Sequence, residues 1–144
     1  MDKKTFNKIT KEICLEYGFH KKGKYFLMQL ETMSIEMHLS SSLGVKSFNF
    51  TIAINELHDD SQPLENRFDV DFEFKMEHTP SAQGYHKHEI LFEEYTEDQY
   101  RKMLTYMLHT YFDGFKKEGL KYVKENQIKL CLNKKATEYI NKII

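Results

Sequence analysis

The sequence predicts an α+β fold: an N-terminal helix, an antiparallel sheet of about four strands with a fifth in reserve, and C-terminal helices packed on one sheet face. Three observations carry that prediction. Four runs between residues 24 and 76 alternate apolar and polar residues with period two, as half-buried antiparallel strands do. Segments before and after them repeat apolar residues at spacings of three and four. A chain of 144 residues with 40% hydrophobic and 14% aromatic content is long and apolar enough for one core, and residues 1–144 read as a single domain.

The first helix is set by Phe6, Ile9, Ile13 and Tyr17, which form one stripe, with Lys4, Lys8 and Lys11 on another face. Asp2 or Thr5 suits its start, and Gly18 suits the residue just past its end. The strands follow as Lys24–Glu31, Met33–Ser40, Ser47–Asn55 and Phe68–Met76. Short links around Thr32 and Gly44 predict a meander for the first three. In the fourth, Phe68, Val70, Phe72, Phe74 and Met76 oppose Asp69, Asp71, Glu73 and Lys75. Two longer polar connections, Glu56–Arg67 and Glu77–His88, contain Pro63 and Pro80. Ile90–Phe92 fits either a short strand or the approach to a helix.

Thr96 with Gln99 three residues on has the capping-box pattern. Behind it Tyr100, Met103, Leu104, Met107, Leu108, Tyr111, Phe112 and Phe115 make the strongest periodic stripe in the chain, which Gly114 and Gly119 end or bend. Leu120–Glu125 is weakly helical and Ile128–Leu132 fits a short strand or a helix. Ala136, Tyr139, Ile140 and Ile143 predict a final helix.

The stretch Gly18-Phe19-His20-Lys21-Lys22-Gly23-Lys24-Tyr25-Phe26 directly follows the first helix. It resembles the opening of a bacterial family, the domain-of-unknown-function family 4304. Met37-His38-Leu39-Ser40-Ser41-Ser42 and Phe48-Asn49-Phe50-Thr51-Ile52-Ala53-Ile54 are similar to that family's next two strands, so the resemblance spans about the first 55 residues. It implies a small α+β fold and brings no activity and no catalytic residue. The family's tryptophan has no counterpart here, since the chain contains none.

Composition narrows the function classes. The formal net charge is −1, which argues against a general nucleic-acid binder, and no apolar run reaches the roughly 20 residues of a membrane span. With no apolar h-region behind the first lysines and only Cys14 and Cys131 as cysteines, the expected compartment is the cytoplasm. Both cysteines read as small buried hydrophobes. The near-neutral charge is a cancellation: residues 51–100 carry 3 basic and 13 acidic groups, and both flanks are basic.

Asp69, Asp71 and Glu73 are therefore the candidate partner-binding residues, set about 6.6–6.8 Å apart along one wet strand face. Such a field speeds association with a basic protein, and an immunity-like role follows by analogy. The same residues also fit an edge strand kept charged against aggregation. The alternative function is a metal-dependent hydrolase or nuclease. It would use Glu73-x-Lys75 with Asp59 and Asp60, or a histidine loop of His78, His86 and His88 with His58 or Glu89 as further ligand. With 22 acidic residues and 19 lysines, about three acidic-x-Lys triplets arise by chance and the chain has two, so the triplet carries no enrichment. Lys4, Lys8, Lys11, Lys21, Lys22 and Lys24 make a basic N-terminal end without interleaved aromatics, which weighs against single-strand binding. No catalytic constellation, phosphate loop or dinucleotide fingerprint is present, and no cofactor is expected.

Overall fold

A computed structural model describes residues 1–42, 45–58, 68–78 and 88–144. The fold is α+β: helix α1 (Lys3–Tyr17) precedes strands β1 (His20–Lys22), β2 (Tyr25–Gln29), β3 (Met33–Ser42), β4 (Val45–Ile54) and β5 (Phe74–Lys75). Helices α2 (Glu97–Glu118), α3 (Leu120–Glu125) and α4 (Lys134–Ile143) follow. The five strands form one antiparallel meander in the order β1-β2-β3-β4-β5. Among the described residues no helix is long and apolar enough to cross a membrane.

Local chemistry sets the helix ends. Asp2 accepts the Thr5 N–H at 2.8 Å, and that bond holds its carboxyl below the ordinary range. Past α1, the Gly18 N–H reaches the Leu15 carbonyl and the Phe19 N–H reaches Cys14, a Schellman closure that needs the positive φ of 127° at Gly18. Thr96 and Gln99 form the reciprocal capping box at the start of α2.

Register puts one apolar face under the helices. Met33 pairs with Ile54, Ile35 with Ile52, Met37 with Phe50 and Leu39 with Phe48. Against this face pack Phe6, Ile9 and Ile13 of α1 and the buried stripe of α2. Phe50 lies at the centre, with ring centroids of Phe112 at 5.0 Å and Phe74 at 5.2 Å. The Tyr100 hydroxyl, wholly buried, meets Thr10 Oγ1 at 2.6 Å, so the α1–α2 seam is hydrogen-bonded as well as packed.

Several expectations change. His20–Lys22 forms an additional first strand, returned through Gly23, whose φ of 61° favours glycine. The expected strand Phe68–Met76 contracts to Phe74–Lys75, while Phe68 and Phe72 are exposed and Asp69 is buried. The reason is that Val70 bridges Leu132 and the Asp71 N–H bonds the Cys131 carbonyl at 2.8 Å, drawing the chain off β4. Ile90 makes a single bridge to Lys46 before a 3₁₀ turn at Phe92–Glu94. Residues 128–131 form turns rather than a strand or helix, with Cys131 at φ 54°, and Leu132 makes the isolated bridge to Val70.

Gly114 does not end α2; the helix runs through it and stops at Gly119. A Cβ at Gly114 would lie 2.3–2.6 Å from ring atoms of Tyr122, which therefore packs on the bare backbone there. Gly114→Ala is expected to lose about 1–3 kcal/mol of stability through that clash, despite the ~1 kcal/mol that alanine gains in a helix. In a Tyr122→Ala background the same substitution should become stabilising. Urea unfolding of the four proteins checks this, and an alanine that stabilises the parent chain would disprove the contact.

Candidate functional site

The Phe68–Lys75 segment is built from one inward carboxylate. Asp69 is 1% exposed, and its Oδ2 accepts the Ile54 N–H at 2.7 Å and lies 2.8 Å from His58 Nε2. Its own N–H donates to the Ile52 carbonyl, and its carbonyl accepts from Asn133, the residue that caps α4. Asp69 thus ties the end of β4 to the start of α4.

The next residues then face outward. Val70 is buried against Leu132, whereas Asp71, Phe72 and Glu73 are exposed, Phe72 to 66%. Phe74 turns back in, against Phe50 and Tyr111, with the Lys129 ammonium 5.9 Å from its ring. The projection is therefore held at both ends by buried contacts. Ile128, next to Lys129, is 90% exposed. Of the three acidic residues expected on one wet face, Asp71 and Glu73 are at the surface and Asp69 is not. Alternation placed Asp69 outside because periodicity does not register an unsatisfied N–H that needs an acceptor. Phe72 was missed for the converse reason: it belongs to an apolar stripe whose members Val70 and Met76 reach the core while it does not.

Beside β5 the sheet's polar face holds a cleft of about 440 Å³. Ser40, Ser47, Asn49, Lys75, His88 and Glu89 line it, and Asn49 donates to Ser40 at 2.8 Å. At its margin His38 Nδ1 stands 3.4 Å from Glu73 Oε1. Glu73-x-Lys75 therefore spans the segment and the cleft; Asp59, Asp60 and His86 lie outside the described residues. His78 is buried, its Nε2 2.6 Å from the Glu89 carbonyl, whereas His88 lines the cleft. Among the described residues no group of three or more His, Cys, Asp or Glu side chains is placed to hold a metal ion.

Cys14 is fully buried, and desolvation pushes its thiol up to about 12, which suits packing rather than nucleophilic chemistry. Lys4, Lys8, Lys11, Lys22 and Lys24 are solvated, and Lys21 sits over the Phe26 ring at 4.7 Å.

Asp69→Ala orphans the buried Ile54 N–H and should destabilise the fold by at least about 2 kcal/mol, whereas Asp71→Ala should leave the unfolding midpoint nearly unchanged. Equal effects in a denaturant titration would contradict the inward placement of Asp69.

No family model matches the chain, and neither the curated proteins nor the solved structures searched contain a match.

Proposed function

We propose that this is a non-enzymatic binding or accessory protein that docks a basic protein partner on the Asp71-Phe72-Glu73 projection. The observation that carries the reading is Phe72: an aromatic side chain 66% exposed between two surface carboxylates, on backbone anchored at both ends. Burying such a ring in a partner's pocket is worth about 1.5–3 kcal/mol, and an anchored segment has little ordering entropy to lose. Asp71 and Glu73 would flank that pocket, steer a basic surface toward it and disfavour acidic competitors. An immunity-like role, with the acidic rim filling a basic cleft that otherwise takes nucleic acid, is the form suggested by analogy. A cytoplasmic setting and kinship with the domain-of-unknown-function family 4304 belong to the same reading. The helix-then-meander order over the first 55 residues supports the kinship.

The hydrolase alternative has less support. Glu73 is paired with His38, and His78 is committed to the Glu89 carbonyl.

The test uses tagged full-length protein in extracts of its source organism, followed by reconstitution with the purified captured protein. Phe72→Ala should weaken the reconstituted complex by about tenfold or more. Asp71→Asn with Glu73→Gln should flatten the salt dependence of its association rate. A partner bound equally well by all three proteins would overturn the proposal.

A further inference from the structure

Away from this segment, α1 and α2 part to leave a groove of about 310 Å³, near the lower end of the ~300–1,000 Å³ found for small-molecule sites. Ile13 and the Tyr17 ring give it apolar lining over wholly buried Leu108, and Glu16 and Lys116 bring charge of both signs. On the α1 side stands Glu16, exposed and without an ion-pair partner among the described residues. It sits in the last turn of α1, where the helix carbonyls already present partial negative charge. A carboxylate there is electrostatically uncompensated and favours a cation.

On the α2 side, His109 and Lys116 are two helical turns apart on one face. The Lys116 ammonium lies 4.0 Å from the Tyr17 ring centroid and donates to the Tyr17 carbonyl at 2.8 Å. One of its three donors is used there, leaving two. His109 Nδ1 lies 2.9 Å from Asp113 Oδ2, while the Tyr17 hydroxyl donates to Asp113 Oδ1 at 2.7 Å. Those two bonds, the tyrosine's first, hold the Asp113 carboxyl below its ordinary range. An ionised Asp113 accepts from the ring at Nδ1 and so fixes the orientation of the imidazole at the groove wall.

A ligand carrying only negative charge would meet Glu16, and one carrying only positive charge would meet Lys116. A ligand with both signs and an apolar body satisfies every wall. We propose that the α1–α2 groove binds a small zwitterion of the apolar α-amino-acid class: Glu16 takes the ammonium, Lys116 takes the carboxylate, and Ile13 and the Tyr17 ring receive the side chain.

The experiment titrates the full-length protein with L-leucine, L-phenylalanine and L-methionine up to about 10 mM, following Leu108 and His109 resonances by NMR. N-acetyl-L-leucine, which lacks the ammonium, and L-leucinamide, which lacks the carboxylate, are run beside them. Saturable shifts are expected for at least one amino acid. The capped compounds should bind at least about tenfold more weakly than leucine, and Glu16→Gln should weaken binding by a similar factor. Glu16 is exposed and unpaired, so that variant retains the fold, and Lys24→Gln on the distant β1–β2 turn should bind as the parent does. Absence of saturable shifts, capped compounds binding as well as leucine, or an unaffected Glu16→Gln would each overturn the proposal.

Discussion

The far edge of β4 is the constraint on which the rest of the architecture depends. From Phe48 to Ile54 every residue of this strand is buried, so each outward N–H and carbonyl on that edge needs a partner inside the protein. No long strand supplies them. The chain instead touches the edge in separate places: Ile90 at Lys46, Met76 at Phe48, Phe74 at Phe50, Asp69 at Ile52, and the Asp69 carboxylate at Ile54. Between the touches at Asp69 and Phe74 the chain leaves the sheet, and that departure puts Phe72 outside. The projection is thus a consequence of satisfying buried backbone groups.

This also explains which parts of the fold were legible. Helix α1, the central strands and α2 follow from periodicity because their faces are cleanly divided between core and water, and the Thr96–Gln99 cap is a local pattern. Strand β1 carries no such division, since His20, Lys21 and Lys22 are all exposed; its pairing comes from the turn at Gly23. The Phe68–Met76 run fails in the opposite way. Its alternation is clean, yet Val70 is held by Leu132, sixty-two residues on, and no local window contains that partner. Gly114 belongs to the same class: its reason is Tyr122, on the next helix.

Candidate-site residues divide along the same line. Asp71 and Glu73 are at the surface as alternation predicts. Asp69 and Phe72 exchange the roles expected of them, the acid inside and the aromatic outside, because the acid is the hydrogen-bond acceptor that the Ile54 N–H requires. In the α1–α2 groove, the i,i+4 spacing of His109 and Asp113 is visible in sequence, but Tyr17, ninety-six residues before Asp113, is brought to it only by helix packing.

For several carboxylates among the described part of residues 51–100 the structure shows a use. Glu97 and Asp98 lie in the first turn of α2, where the positive end of the helix dipole favours them. Glu56 accepts from the Tyr139 hydroxyl at 2.9 Å and so helps seat α4. Asp69 is consumed by the β4 edge. Asp71 has no such structural duty, and Glu73 is only partly engaged by His38 at 3.4 Å. Two carboxylates that the fold itself does not use thus lie on either side of Phe72, which is the more exposed of the two aromatic rings, with Phe68, that the segment leaves in water. A fold selected only for its own stability would gain by exchanging that ring for a polar side chain. That placement between two carboxylates is what supports the proposal of a partner surface apolar at its centre and basic at its rim.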